Sequence, residues 1–248
     1  MNQKHINIAL IGILLVAFGF RVWTLQNNWF MHGDVMGDVS VTAELVRDGL
    51  FVSHYNKETA DPAAYTLPPA SEGEPLIQHG PFWPMLGATV TALRQAEPTY
   101  TDAFLSLRIL SLVAGLFVVY LCYVLARKLF SPLAGLAIAA WVACSYMLAD
   151  YAGNGSFYSI HAVYYLLWLL LAYQTPSLTR SLQLGILVGL AYLTNFQCVI
   201  LVPATCVLLL VQVRPWRDCV KQLVVFGCVT LAVMSPWLIR SMLLFNMP

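Results

Sequence analysis

The chain has 248 residues, 59% of them hydrophobic and only 10% charged, whereas a soluble domain carries roughly 25% charged residues. Its net charge of +1 gives no footing for a nucleic-acid partner. The six cysteines (Cys122, Cys144, Cys198, Cys206, Cys219 and Cys228) fall in or beside apolar runs without a CxxC pair, so neither a disulfide framework nor a zinc site is expected.

The first apolar run, Ile6 to Leu25, covers 20 residues and is long enough to cross about 30 Å of hydrocarbon. No small-x-small cleavage site follows it, so it is expected to remain as a first transmembrane helix. Residues 26–102 then form one long connection. Within it, "DVSVTAELVRDGLF" sets Val41, Leu45 and Gly49 on one helical face with Glu44, Arg47 and Asp48 on others, which predicts a short helix lying at the interface. "NKETADPAAYTLPPASEGEP" reads as a loop, and "HGPFWPMLGATVTALRQ" as a second amphipathic helix with Trp83 at headgroup level.

Further apolar runs predict spans near 103–126, 132–149, 157–173, 182–195, 196–212 and 220–239, seven with the first. Only Thr194, Asn195 and Gln197 mark the boundary between 182–195 and 196–212, so six spans with one long kinked helix is the alternative. With the N-terminus cytoplasmic, Lys4, Arg127, Lys128, Arg180, Arg214, Arg217 and Lys221 gather on short cytoplasmic connections, seven of the thirteen basic residues. All twelve acids except Asp218 then lie outside or at that interface. The expected fold class is an all-α polytopic membrane protein of about seven transmembrane helices, with interfacial helices in a long first exoplasmic loop. No internal repeat or separate soluble domain interrupts residues 1–248.

Asp34 and Asp38 lie four apart and share a face if their segment is helical. Gly33 and Gly37 favour a loop or helix start instead, with Asp38 capping "VSVTAEL". Two readings of Asp38 therefore stand: a cap, or a carboxylate base at the mouth of a membrane cavity, tuned by neighbouring acids and partial desolvation. His79 reads as a surface residue or as a contact to an anionic group near Asp38. His32, Asp34, Asp38 and His79 offer donors to a divalent metal, but nothing in their spacing fixes a site, and none is assigned. Arg108 and Arg240 stand at the exoplasmic ends of predicted spans, where a cation either snorkels to headgroups or pairs; two of them beside an acidic loop suit a lipid phosphate. Asp150, Tyr151 and Asn154 are expected in a short exoplasmic turn, followed by Tyr158, His161 and Tyr165 at helical spacing. The tyrosines fit an aromatic belt, whereas a histidine inside a span suggests a cavity.

The order of these features resembles the C-type glycosyltransferases, in particular the branch of protein O-mannosyltransferases and the lipid A aminoarabinose transferase. Their first-loop motif D-E-x-x-Y-A-E-I is matched by "DVSVTAEL" from Asp38, with Ala43–Glu44 at the A-E. Their K/H-P-P-L-Y-x-x-L is matched by "HGPFWPML" from His79 to Leu86. Arg108, Ser111 and Gly115 fit R-x-x-S-x-x-x-G, and Pro236, Trp237 and Arg240 fit P-W-x-x-R-N. Val39, Thr42, Gly80 and Ser241 depart from these patterns. Family members usually continue with more spans or a soluble domain, so the resemblance puts in question whether residues 1–248 are active alone.

The resemblance implies inverting transfer of a sugar from a polyprenyl-phosphate-linked donor to an acceptor hydroxyl on a protein, lipid or glycan. It implies a site on the exoplasmic face of a membrane, expected to be a bacterial inner membrane. Asp38 is then the catalytic base, with Asp34 and Glu44 as secondary acids. Arg240, Arg108 and His79 would bind the donor phosphate, and Tyr151, Asn154, Tyr158 and His161 would line the substrate cavity. No prosthetic group is implied; metal dependence stays open. The alternatives are a non-catalytic partner subunit of a larger transferase, and a lipid or solute transporter. The transporter reading calls for internal repeats and broken helices at the membrane midplane.

Overall fold

The computed structural model describes residues 2–27, 33–54, 71, 73–75 and 79–245. Among the described residues the chain forms ten α-helices: α1 (Gln3–Asn27), α2 (Gly33–Arg47), α3 (Phe82–Leu93), α4 (Tyr100–Leu129), α5 (Pro132–Cys144), α6 (Tyr146–Gly153), α7 (Tyr158–Ala172), α8 (Leu178–Thr194), α9 (Leu201–Gln212) and α10 (Trp216–Phe245). Two short strands, β1 (Val52–Ser53) and β2 (Glu74–Pro75), pair antiparallel as the only other ladder among the described residues. The chain is an all-α integral membrane protein. α1, α4 and α10 are long and apolar enough to cross a bilayer, and the bent pair α5–α6 makes a fourth crossing if counted as one span.

Every predicted span coincides with a helix or a helix pair, but α7, α8 and α9, of 15, 17 and 12 residues, are shorter than the ~20 a full crossing needs. The predicted span 132–149 is broken at Ser145, where α5 and α6 diverge by 60°. The weak boundary near Asn195 is a real interruption: Asn195 Oδ1 accepts from Gln197 N–H at 2.8 Å and starts a 3-10 turn over Phe196–Ile200 that leads into α9.

Helix ends follow ordinary capping chemistry. Thr99 Oγ1 accepts from Asp102 N–H at the start of α4, whose last turn carries Arg127 and Lys128, cations suited to the negative end of the helix dipole. Ser131 caps α5 with Pro132 at the first helical position, and Ser177 caps α8 through Arg180 N–H. Gly49, at φ +71°, takes the left-handed turn that follows α2.

The contacts divide the chain into two compact units, residues 1–78 with 83–166, and residues 79–82 with 167–248. In the first unit, α1 packs on α4 and α5 through Ile6, Ala17, Val119, Tyr123, Leu136, Ala139 and Ala143. A second cluster joins α2, α3 and α4 through Val35, Val39, Ala43, Trp83, Tyr100, Phe104 and Leu107. α2 was expected at the interface, yet residues 37–44 are buried around its whole circumference. Trp83 is likewise buried inside the protein, and its indole N–H donates to Gly155 O at 3.1 Å.

In the second unit, α8 and α10 approach closely at Gly185 and Gly189. A Cβ at Gly189 would stand 2.7 Å from Val233 Cβ, and one at Gly185 2.9 Å from Val229 Cβ. Ser181 Oγ donates to Gln222 Oε1, and Thr230 Oγ1 to Gly185 O, across the same seam. Pro236, inside α10, has no N–H for Ala232 O; Ser235 Oγ donates to that carbonyl instead, at 3.0 Å.

Gly189→Leu should overpack the α8–α10 seam and lower stability by about 1–3 kcal/mol. Gly227→Leu on α10, where a Cβ meets nothing within 4 Å, should leave stability unchanged. Thermal unfolding of the purified chain in detergent, followed by circular dichroism, compares the two.

Candidate active site

Asp38 sits inside α2 and not at its start, because the helix begins at Gly33; the capping reading is thereby corrected. The side chain is fully buried on a helix packed into the α2–α3–α4 core. Asp34 lies one turn earlier on the same helix, and its side chain is outside the described residues. α2 can be buried despite its polar sequence because its hydroxyls bond back to its own backbone. Ser40 Oγ donates to Gly37 O at 3.1 Å, and Thr42 Oγ1 to Asp38 O at 2.6 Å. Thr42 Oγ1 also lies 3.4 Å from Pro84 O, linking α2 to α3.

Glu44 is six residues beyond Asp38, roughly 120° away around the helix, and belongs to a separate polar cluster. Its Oε1 accepts from Arg47 Nη2 at 2.5 Å and lies 3.0 Å from His54 Nε2. Both Glu44 and His54 are buried, and the strand β1 delivers His54 there, with its backbone N–H donating to Ser40 Oγ at 3.3 Å. Glu44 Oε2 and His54 Nδ1 have no hydrogen-bond partner among the described residues. His54 was not among the sequence candidates: its proximity to Glu44 depends on a two-residue ladder that no periodicity signals.

Arg108 is fully buried in α4. Its Nε donates to Gly153 O at 2.6 Å, its Nη2 to Leu25 O, and its guanidinium carbon lies 5.1 Å from the centre of the Phe104 ring. Ser111, one turn on, donates to Tyr151 O at 2.8 Å and Ser156 O at 3.0 Å. Gly115, a further turn on, leaves room for Ala152 and Arg21: a Cβ there would stand 2.6 Å from Ala152 Cβ and 3.0 Å from Arg21 Nε. The three positions of R-x-x-S-x-x-x-G therefore meet one segment, residues 151–156.

That segment is not the simple turn expected. Asp150 and Tyr151 belong to α6, and Asn154 ends it, fully buried, with Oδ1 accepting from Ser156 N–H at 2.9 Å. Gly155 follows at φ +83°, a conformation open to glycine. Tyr158 and His161 start α7, as their spacing predicted. Tyr151 and Tyr158 rings pack at 5.0 Å, and His161, largely buried, packs on Phe157 at 4.8 Å. Of the four predicted cavity residues, Tyr151 and Tyr158 line a cavity of about 220 Å³; Asn154 and His161 are not in its wall.

His79 and Arg240 belong to the second unit. Arg240 stacks its guanidinium 4.4 Å from the centre of the Trp237 ring, which uses two members of the P-W-x-x-R motif in one contact. Gly80, beside His79, has no room for a side chain, because its Cα abuts the Leu193 carbonyl. Among the described residues no group of three or more His, Cys, Asp or Glu side chains is arranged to hold a metal ion. His32, one of the donors considered from sequence, lies outside those residues.

A family model described as dolichyl-phosphate-mannose-protein mannosyltransferase matches residues 78–239. No curated protein matches the chain. Among solved structures, the apo crystal structure of the Archaeoglobus fulgidus oligosaccharyltransferase shares the fold with a TM-score of 0.69 at 17% identity. The alignment covers 95% of this chain and 30% of that one.

His54→Ala should strip buried Glu44 of one partner and destabilise the first unit by about 1–3 kcal/mol. His54→Gln, which keeps a donor near Glu44 Oε1, should recover part of that loss. Melting temperatures of the two purified variants make the comparison, and equal melting of His54→Ala and wild type would leave Arg47 as the one structural partner of Glu44.

Proposed function

The chain belongs to the dolichyl-phosphate-mannose-protein mannosyltransferase family, one of the C-type glycosyltransferases, and from that premise we propose that it serves sugar transfer from a polyprenyl-phosphate-linked donor to an acceptor hydroxyl at the exoplasmic membrane face. Asp38 is the base. Its carboxylate takes the acceptor proton as the acceptor oxygen forms a bond to the anomeric carbon, and the bond from that carbon to the donor phosphate oxygen breaks on the opposite face, inverting the centre. The phosphate leaves with the bonding electrons and needs fixed cations. Arg240 is the first choice for that role. Arg108, whose Nε and Nη2 already serve backbone carbonyls, ranks behind it together with His79.

The observation that carries this reading is the burial of Asp38. A carboxyl enclosed in a helix that packs into the α2–α3–α4 core is a candidate for function. The aligned "DVSVTAEL" segment supports the same position. Asp34 and Glu44 are secondary acids in this reading, with Glu44 shaping the helix end through Arg47 and His54.

A second reading is favoured by one fact: the chain spans only 30% of the length of the solved structure it matches. It would then be a module that works with further domains or a partner chain. The family assignment disfavours the transporter reading.

Asp38→Asn should insert and fold as wild type and lose at least about a hundredfold in transfer from a radiolabelled polyprenyl-phosphate sugar. The assay uses membranes carrying the full-length protein in its native setting. Turnover within a few-fold of wild type would remove Asp38 from the chemistry.

A further inference from the structure

In the second unit α8 and α10 run parallel. Gly185 faces Val229 and Gly189 faces Val233, and one turn earlier Ser181 Oγ donates to Gln222 Oε1 at 3.1 Å. Both helices therefore begin at the same end of their seam, α8 at Leu178 and α10 at Trp216, and both turn the positive end of their dipole there. Arg240, the first choice for the donor phosphate, stands 18 residues beyond Gln222 on α10. That is about 27 Å along the axis, close to the thickness of the hydrocarbon layer. The start of α10 thus belongs to the membrane face opposite Arg240.

A cavity of about 440 Å³ lies against these two helix starts, and Arg214, Lys221, Asp218, Gln212 and Gln222 supply its polar wall. Lys221 Nζ is answered by Asp218 Oδ1 at 3.3 Å, whereas among the described residues Arg214 has no ion pair. Gln222 is only 6% exposed and its amide is half used: Oε1 accepts from Ser181, while Nε2 has no hydrogen-bond partner among the described residues. A third cation stands behind the wall. Arg180, buried in α8, donates from Nη2 to Gln212 Oε1 at 2.7 Å and to Ala172 O at 3.3 Å, and no described carboxylate pairs with it. It is not part of the cavity wall, so it adds charge there and no contact. Three cations, an idle amide donor and two helix starts around one carboxylate make an anion site. The volume falls within the ~300–1,000 Å³ of small-molecule pockets and exceeds what one inorganic ion fills. Three of the eight lining residues are apolar, too few to run beside an acyl chain.

We propose that this cavity binds a small water-soluble organic anion of two or more negative charges, with Arg214 and Lys221 as the charged donors and Gln222 Nε2 as the neutral one. The planar Arg214 guanidinium fits two oxygens of one carboxylate at once, and Lys221 meets a second anionic group as a point charge. Gln212 ends α9 and Gln222 belongs to the first turns of α10, so a ligand held between them ties these helix ends together and stabilises the second unit. This site goes beyond the transfer reading. It uses none of Asp38, Arg240, Arg108 or His79, and its ligand is neither donor nor acceptor in that reaction.

The test is binding of citrate to the purified chain in neutral phosphatidylcholine nanodiscs, read by titration calorimetry and by the shift in melting temperature. Acetate and triethyl citrate are the comparison probes. Citrate should bind and stabilise, while acetate, with one charge, and triethyl citrate, with none, should each bind at least about tenfold more weakly. Arg214→Gln and Lys221→Gln should each weaken citrate about tenfold, and Gln222→Leu should weaken it several-fold. Arg214 and Lys221 are exposed, so their variants keep the test decisive if Gln222→Leu does not fold. Arg217→Gln removes an exposed neighbouring cation outside the cavity wall and should leave citrate affinity unchanged. Absence of citrate binding overturns the proposal, as does equal binding of acetate or triethyl citrate. An equal loss in Arg217→Gln and Arg214→Gln would leave only diffuse surface charge and overturns it too. In nanodiscs of phosphatidylglycerol, citrate affinity should stay within a few-fold; its loss there would make the cavity a lipid-headgroup site and defeat the claim of a soluble ligand. Asp38→Asn should keep full citrate binding, so failure of the transfer reading and failure of this one are told apart.

Discussion

A helix that breaks inside a membrane releases carbonyls that no water is at hand to satisfy, and the first unit is organised around that constraint. The break between α5 and α6 and the turn into α7 loosen the backbone from Ala143 to Ser156. Side chains from three other helices meet those carbonyls: Arg21 takes Ala143 O, Thr24 takes Ala149 O, Ser111 takes Tyr151 O and Ser156 O, Arg108 takes Gly153 O, and Trp83 takes Gly155 O. Each donor is buried, so each bond is made where an unmet carbonyl is most costly. Much of the polar chemistry that looks functional in an apolar chain is thus structural, and α1, α3 and α4 are fixed to the broken span by it.

This explains why the motif on α4 has its spacing. Arg108, Ser111 and Gly115 lie on one face across two turns, and the face looks onto residues 151–156. From sequence alone, Arg108 reads as a phosphate ligand, because a cation at a span end has two explanations and the third, a partner made of carbonyls 45 residues away, is invisible in a linear pattern. Arg21 is concealed in the opposite way. It sits within "AFGFRVWTL", where one cation in a 20-residue apolar run looks like tolerance and not like design.

What composition and run length could reveal, they did: α1, α4 and α10 are long, apolar and nearly where expected, since lipid contact demands little beyond hydrophobicity. The bend at Ser145 escaped because a single hydroxyl in "VACSYML" does not interrupt an apolar run. The burial of α2 escaped for a subtler reason. Asp, Ser, Thr and Glu within one helix suggest a wet face, yet Ser40 and Thr42 satisfy themselves on the helix backbone and Glu44 is met by Arg47 and His54. Polarity that is satisfied internally carries no information about exposure. Asp38 stood out in the sequence as a candidate; its burial within α2 did not.

The departures from the family patterns are also local matters of fit. Thr42 occupies the place of the motif tyrosine directly under Gly87, where a Cβ on the glycine would already stand 2.9 Å from the threonine. A phenol ring there would collide with α3, whereas the threonine hydroxyl reaches Asp38 O and Pro84 O and ties the two helices together. Gly80 replaces proline where the Leu193 carbonyl leaves no space for a ring. These two changes, at Thr42 and Gly80, each come with a close contact that the usual residue would prevent. Beside Asp38, the threonine allows a narrower α2–α3 approach than the motif tyrosine would permit.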